Sequence, residues 1–60
     1  MPVVRITMWT GRTAEQKKKL IESVTKAVCE SIGCRQEAVY IILDDMPKEN
    51  WGSGGKQGGG

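Results

Sequence analysis

Proline stands at position 2, directly after Met1. Its side chain is small enough for an aminopeptidase to remove Met1, which would leave Pro2 with a free secondary amine. Such an amine has no amide resonance, so it can act as a base or a nucleophile, which no internal proline can do. Proline is also tolerated as the first residue of a strand. The position of Pro2 is therefore consistent with a catalytic role and with a purely structural one.

Arg12 is the second candidate for chemistry. It lies in the loop between a predicted strand and a predicted helix, where neither hydrophobic pattern requires it. Loops positioned by a rigid scaffold often carry binding groups, and a guanidinium can hold a carboxylate through two hydrogen bonds. The nearby helix N-terminus also favours an anion. A solvent-exposed arginine in a turn is the competing interpretation.

The remaining polar residues offer few further candidates. The chain has no histidine, so its serines lack the usual partner of a serine nucleophile. No glycine-rich phosphate motif follows a strand, and Cys29 is expected to be a small apolar residue of the helix. We expect no metal and no organic cofactor. The groups predicted to be solvated are the late carboxylates Glu37, Asp44, Asp45 and Glu49 and the lysine run Lys17, Lys18 and Lys19.

Length and charge narrow the class of protein. Sixty residues make one small domain, which needs a staple such as a disulfide, a metal or oligomerisation. Cys29 and Cys34 are too close in sequence to close a long stabilising loop, so oligomerisation is expected. A net charge of +2 argues against nucleic acid as a partner. The absence of a long apolar stretch predicts a cytoplasmic protein that does not bind a membrane.

The hydrophobic pattern predicts a strand, a helix and a second strand. The first strand spans Val3–Trp9, and the helix begins after a capping box formed by Thr13 and Gln16. The helix ends at Gly33, and the β-branched run 39–43 predicts a strand covered on both faces. A helix of this length between two strands favours a right-handed crossover with parallel strands, which is one βαβ unit of an α+β fold.

One helix can cover only one face of this two-stranded sheet. An apolar stripe on the helix consists of Leu20, Val24, Ala27, Val28 and Ile32. It is expected to cover the sheet face that carries Val4, Ile6 and Met8. The apolar residues predicted on the other face are Val3, Trp9, Tyr40 and Ile42. A partner chain must cover that face.

The C-terminal segment is rich in glycine. Trp51 and the Gly-Ser-Gly-Gly that follows it predict a turn or short hairpin with one aromatic side chain free to pack on a neighbour. Residues 56–60 are expected to form a flexible tail, and the sequence leaves open whether its terminal glycine run is native.

Together these features resemble the 4-oxalocrotonate tautomerase family of the tautomerase superfamily. The resemblance covers nearly the whole chain and makes residues 1–60 a single tautomerase-like domain. It implies a βαβ subunit assembled as a hexamer, a trimer of dimers. The matching features are Met1-Pro2, Val3–Trp9, Gly11-Arg12-Thr13 with Glu15-Gln16-Lys17, the helix, the strand 39–43, and Trp51 with its glycines.

The resemblance also implies roles for individual residues. Pro2 is implied to be the general base and proton shuttle. Arg12 is implied to come from a neighbouring subunit and to bind and polarise the carboxylate of the substrate. Trp51 stands at the family's active-site aromatic position. Tyr40 stands where the family places a second, substrate-binding arginine, and a phenol donates one hydrogen bond without a charge at neutral pH. The natural substrate is therefore open.

The sequence thus predicts an isomerase that moves a proton in an enol or unsaturated oxo acid, without a cofactor. Its partners are a small carboxylate substrate and further subunits, either identical copies or a related chain. Protonated Pro2 could instead serve a hydratase, dehalogenase or decarboxylase acting on an unsaturated acid. If Met1 is retained, Pro2 nitrogen is an amide without basicity, and the chain is an inactive subunit or an interaction module.

Overall fold

A computed structural model describes residues 1–58. Strands β1 and β2 pair in parallel with helix α1 as the crossover, and β3 pairs antiparallel with β4. These pairings confirm the predicted βαβ unit and the predicted C-terminal hairpin. In chain order the elements are β1 (Val3–Trp9), α1 (Ala14–Ile32), a 3₁₀ turn (Gln36–Ala38), β2 (Tyr40–Met46), a second 3₁₀ turn (Lys48–Asn50), β3 (Gly52–Ser53) and β4 (Lys56–Gln57).

Both predicted ends of α1 are confirmed. The Thr13 hydroxyl accepts a hydrogen bond from the Gln16 amide at 3.1 Å, and the Gln16 side chain accepts one from the Thr13 amide at 2.9 Å. At the other end, Gly33 adopts a left-handed conformation with φ of 70°, and its amide donates to the Cys29 carbonyl. Within residues 1–58, no helix is both long and apolar enough to cross a membrane.

The sheet has one face covered by α1 and one face open. Along β1, Val4, Ile6 and Met8 are half-buried, as predicted, while the residues between them are exposed. No side chain in the described part of the chain is fully buried. The open sheet face is the one opposite α1, and its apolar residues are Val3 (55% exposed), Trp9 (36%), Tyr40 (52%) and Ile42 (42%). A single chain therefore leaves a large part of its apolar surface in water.

The helical stripe is shorter than predicted. Leu20, Val24 and Val28 are half-buried, but Ala27 is exposed and Ile32 is 64% exposed. A residue turns an α-helix by about 100°, so twelve residues from Leu20 displace position 32 by about 120° around the helix axis. The sheet therefore covers the middle of the stripe and not its end.

Strand β2 extends further than the predicted range 39–43. It begins at Tyr40 and continues to Met46, so Asp44 and Asp45 lie within a strand and not in a solvated turn. Arg5 Nε donates to Asp44 Oδ2 at 2.8 Å on the open face. Within this chain β2 is covered on one face only, because its side chains alternate between exposed and half-buried up to Leu43.

Asp45 pairs on the helix side of the sheet with Lys17, which was predicted to face solvent. Lys17 is only 31% exposed in its side chain, because it precedes Leu20 by three residues and shares the inner face of α1. Both aspartates therefore have cationic partners, and they continue β2 by pairing with Thr7 and Met8 in the strand register.

The predicted tail 56–60 begins inside the hairpin. Lys56 pairs with Ser53, and Gln57 pairs with Gly52. The amide of Gly58 donates to the Trp51 carbonyl at 2.7 Å. Gly59 and Gly60 lie outside the described residues.

Candidate active site

Pro2 and Tyr40 are neighbours at one end of the sheet. The Tyr40 amide donates to the Pro2 carbonyl at 3.0 Å, and Val3 pairs with Tyr40 in the strand register. Pro2 is thus held through its carbonyl, while its nitrogen takes no part in the strand ladder. Pro2 is half-buried and Met1 is 86% exposed. The hydrogen bond to its carbonyl therefore fixes the position of Pro2 and leaves its nitrogen, the candidate base, unengaged.

Arg12 lies beside a cavity of about 190 Å³ at the N-terminal end of α1. The residues that line the cavity are Met8, Arg12, Gln16, Lys17 and Leu20. Gln16 is occupied by the capping box, and the Lys17 ammonium is paired with Asp45. Within residues 1–58 the Arg12 guanidinium has no ion-pair partner. Arg12 is therefore the cation in this cavity that keeps its donors available for an anion.

Trp51 is held by a second tryptophan. The rings of Trp9 and Trp51 meet edge to face, with centroids 5.7 Å apart and planes inclined by 75°. The Lys48 ammonium lies 5.0 Å from the centroid of the Trp9 ring. Sequence reasoning placed Trp9 only on the open face and missed this contact. The sequence signal for this contact is the position of Trp9 at the end of a predicted strand, where a large aromatic ring can reach a following loop.

The length of β1 separates these groups. Pro2 precedes the strand and Trp9 ends it, so seven steps of about 3.3 Å place them about 23 Å apart. Trp51 contacts Trp9, and Arg12 shares a cavity with Met8, so both lie toward the far end of the strand. The structure brings Pro2 to Tyr40, but it brings neither residue to Arg12 or Trp51 within one chain.

The carboxylates of the sheet are engaged elsewhere. Hydrogen bonding from Arg5, together with its positive charge and a contact from Thr7, lowers the pKa of Asp44 despite partial desolvation. The same contact raises the pKa of Arg5. A carboxylate stabilised in its charged form is a poor proton acceptor. Asp44 is therefore a structural partner and not a candidate general base.

No three of the cysteines, aspartates and glutamates within residues 1–58 are grouped closely enough to hold a metal ion. The donor groups around the Arg12 cavity are cationic or amide, which suits an anion and not a cation.

Comparison with known proteins places the chain in a family. A family model described as tautomerase enzyme matches residues 2–59. The 2-hydroxymuconate tautomerase of Comamonas testosteroni is 47% identical over 55 residues, which cover 92% of this chain and 87% of that protein.

Solved structures give the same result. A structure from work on the 4-oxalocrotonate tautomerase isozymes of Methylibium petroleiphilum has a TM-score of 0.89 at 46% identity, covering 95% of this chain and 92% of its own. One from a heterohexamer 4-oxalocrotonate tautomerase of Chloroflexus aurantiacus J-10-fl has a TM-score of 0.89 at 32% identity, with coverage of 95% and 92%. The chain shares its fold with these solved structures and its sequence with the family model. It therefore belongs to the 4-oxalocrotonate tautomerase family, a family of isomerases.

Proposed function

We propose that this chain is the subunit of a cofactor-independent tautomerase that moves a proton within an enol or unsaturated oxo acid. The observation that carries the proposal is the attachment of Pro2, whose carbonyl is bound by Tyr40 while its nitrogen stays outside the ladder. Removal of Met1 converts that nitrogen from an amide into a secondary amine. The proton acceptor is then a backbone atom positioned by the first strand pair.

Pro2 acts first as a base and then as an acid. Its amine accepts a proton from the enol, which leaves a dienolate, and the resulting ammonium returns the proton to a carbon of the conjugated system. Substrate and product contain the same atoms, so no cofactor is consumed. The amine must be largely unprotonated near neutral pH. The cation Arg12 and an apolar surface formed by Trp51 favour this state, because both lower the pKa of a nearby amine.

Arg12 binds the substrate's carboxylate and stabilises the negative charge that develops on the dienolate. Its lack of an ion-pair partner within residues 1–58 supports this role. Since Arg12 and Pro2 lie at opposite ends of β1, the Arg12 that meets a given Pro2 comes from a neighbouring subunit. Trp51 supplies the apolar wall of the same site.

Tyr40 lies next to Pro2 and is 52% exposed in the single chain. It presents a neutral phenol to the far end of the substrate, so the preferred substrate carries one carboxylate and an apolar or aromatic far end. This preference separates the proposed substrate class from dicarboxylated enols.

The open sheet face supports assembly into an oligomer, which we propose to be a hexamer. Four apolar residues on this face are each at least 36% exposed in the single chain. Assembly covers them and brings the ends of different β1 strands together. Identical copies satisfy this requirement, and so does a related second chain.

The proposal is tested by combining two variants, each of which lacks one of the two proposed catalytic groups. One variant carries an N-terminal extension that makes Pro2 nitrogen an amide, and the other is Arg12→Ala. In an enol-to-keto ultraviolet assay the extended variant alone is expected to be nearly inactive, and Arg12→Ala alone is expected to keep about 1–10% of the wild-type kcat/KM. Unfolding them together and refolding is expected to restore about a quarter of the sites, because random assembly pairs an intact Pro2 with an intact Arg12 at that frequency.

Separate refolding of each variant followed by mixing is the control. Intact mass of the wild-type protein establishes whether Met1 is removed. Full activity in the N-terminally extended protein would exclude Pro2 as the base, and no recovery after joint refolding would exclude a site shared between chains.

A further inference from the structure

Cys29 and Cys34 form a close thiol pair at the C-terminal end of α1. Gly33 ends the helix in a left-handed conformation, which reverses the chain so that Cys34 returns over the last turn. The sulfurs of Cys34 and Cys29 lie 3.9 Å apart, within reach of a thiol hydrogen bond. Both thiols are free and half-buried. We propose that this pair is a modification site, at which a low-molecular-weight disulfide such as glutathione disulfide oxidises the two thiols to an intrachain disulfide.

The geometry favours bond formation between these two sulfurs. A disulfide joins sulfurs at about 2.05 Å, so closure requires an approach of about 2 Å. Rotation about the two χ1 angles changes Sγ positions on this scale without a change of backbone, since χ1 moves between discrete staggered wells. The cap hydrogen bond from the Gly33 amide to the Cys29 carbonyl, at 2.9 Å, fixes the residue that precedes Cys34 against Cys29 while the side chains rotate.

The environment assigns an order to the two thiols. Burial raises the pKa of Cys29, and so do its hydrogen bond with Cys34, the charge of Cys34, and the negative charges of Glu37 and Glu30. The Cys29 thiolate is thus disfavoured while Cys34 is reduced, and a mixed disulfide at Cys34 removes both contributions of Cys34 to this raised pKa. The nucleophile in thiol–disulfide exchange is a thiolate. Because the thiolate of Cys29 is disfavoured, we assign the first attack to Cys34.

The exchange is balanced in two steps. The Cys34 thiolate attacks one sulfur of glutathione disulfide, which forms a mixed disulfide and releases one glutathione. Cys29 then loses its proton and attacks Cys34 Sγ, which releases the second glutathione. The protein loses two electrons and two protons in total, and glutathione disulfide gains them.

This site is separate from the proposed catalytic groups. Neither cysteine lines the Arg12 cavity. The pair also has no third metal-ligating side chain beside it within residues 1–58, so a closed metal site is not its use. The proposal therefore does not depend on the tautomerase assignment, and its test requires no substrate.

The test uses the full-length assembled protein, reduced and then incubated without oxygen in buffers of increasing glutathione disulfide to glutathione ratio. The samples are alkylated and their intact mass is measured. The expected product has lost two hydrogen atoms, carries no glutathione and accepts no alkyl group. Cys29→Ser and Cys34→Ser are the matched controls. Cys29→Ser is expected to stop at one glutathione adduct, because Cys34 makes the first attack and no second thiol remains to resolve it.

Three results would overturn the proposal. The first is a wild-type protein that stops at a stable glutathione adduct, and the second is a wild-type protein that stays fully reduced at the highest ratio. The third is a disulfide between two chains, which non-reducing electrophoresis detects. Circular dichroism of both serine variants confirms that they fold, so that a missing product reflects the thiols and not a damaged helix.

Discussion

The indole of Trp51 meets that of Trp9 edge to face across 5.7 Å, and so the loop aromatic proposed for the active site is positioned by the last residue of β1. The Lys48 ammonium lies near the Trp9 ring, at 5.0 Å from its centroid. The contact joins residues 42 positions apart and anchors the chain after β2 to the end of β1. Trp9 is therefore a positioning residue for Trp51.

Trp9→Ala is expected to lower kcat/KM about 2- to 10-fold, because an edge-to-face aromatic pair contributes about 0.5–1.5 kcal/mol beyond its buried area. Trp9→Phe keeps a ring at this position and serves as the control, with most of the activity retained. Trp51 fluorescence in both variants reports whether its surroundings change. An unchanged kcat/KM in a well-folded Trp9→Ala protein would contradict the positioning role.

Arg12→Ala is expected to lower kcat/KM for a carboxylated substrate by about 10- to 100-fold, the scale of losing a charge-assisted hydrogen bond worth about 1.5–3 kcal/mol. The thermal unfolding midpoint should stay close to that of the wild type, because Arg12 has no ion-pair partner within residues 1–58. Exposed Lys19→Ala is a control for loss of one positive charge. Wild-type kinetics in Arg12→Ala would return Arg12 to the role of a surface residue.

Tyr40→Arg is expected to raise kcat/KM for a dicarboxylate relative to a monocarboxylate by about tenfold, since a guanidinium can bind the second carboxylate bidentately. Parallel kinetics with 2-hydroxymuconate and phenylenolpyruvate measure the change in preference. Tyr40→Phe separates the loss of the hydroxyl from the gain of charge. A wild-type protein that already prefers the dicarboxylate strongly would require another cation in the site, and the role given to Tyr40 would be wrong.

Ile42→Glu is expected to break the oligomer into smaller species at micromolar concentration. Ile42 lies on the open sheet face, where a charge would have to be desolvated in any covered interface. Gln36→Glu adds the same charge at an exposed position outside the sheet and should leave assembly unchanged. Sedimentation velocity distinguishes the two. A well-folded wild-type monomer at the same concentration would remove the basis for an assembled site.

The Arg5–Asp44 pair predicts a loss of stability in acid. Folding lowers the pKa of Asp44, chiefly through its hydrogen bond with Arg5, so the unfolded chain binds the proton more readily. The stabilising contribution is fully present above the ordinary aspartate pKa and is lost as pH falls through the lower pKa of the folded state. Asp44→Asn should flatten this limb of the pH-stability curve, whereas exposed Glu49→Gln should not. Chemical unfolding at a series of acidic pH values measures both.

Much of the fold was predictable because its signals are local. Thr13 and Gln16 are three residues apart and form the capping box that starts α1, and Gly33 supplies the positive φ that ends it. The end of β2 was not predictable in this way. Asp44 is typical of a turn by propensity, but it lies in a strand, where it pairs with Thr7 in the register and its side chain accepts a hydrogen bond from Arg5, 39 positions away.

In the candidate site, too, the features with local sequence signals were predictable and those that depend on long-range contacts were not. Pro2 and Arg12 were predictable as candidates because an N-terminal proline and a loop arginine are unusual in their own positions. The contact of Trp9 with Trp51 and the approach of Cys34 to Cys29 depend on how loops return to the sheet and the helix. The hydrophobic periodicity of the sequence does not show where these loops pack, so both contacts are visible only in the structure.

The lack of any fully buried side chain in residues 1–58 also makes a chain without partners vulnerable. A newly made chain without partners presents Val3, Tyr40 and Ile42 to solvent and is open to proteolysis, whereas an assembled chain is protected. In the proposed oligomer, assembly depends on a high power of chain concentration, so we expect the amount of intact protein to rise more steeply than the rate of synthesis.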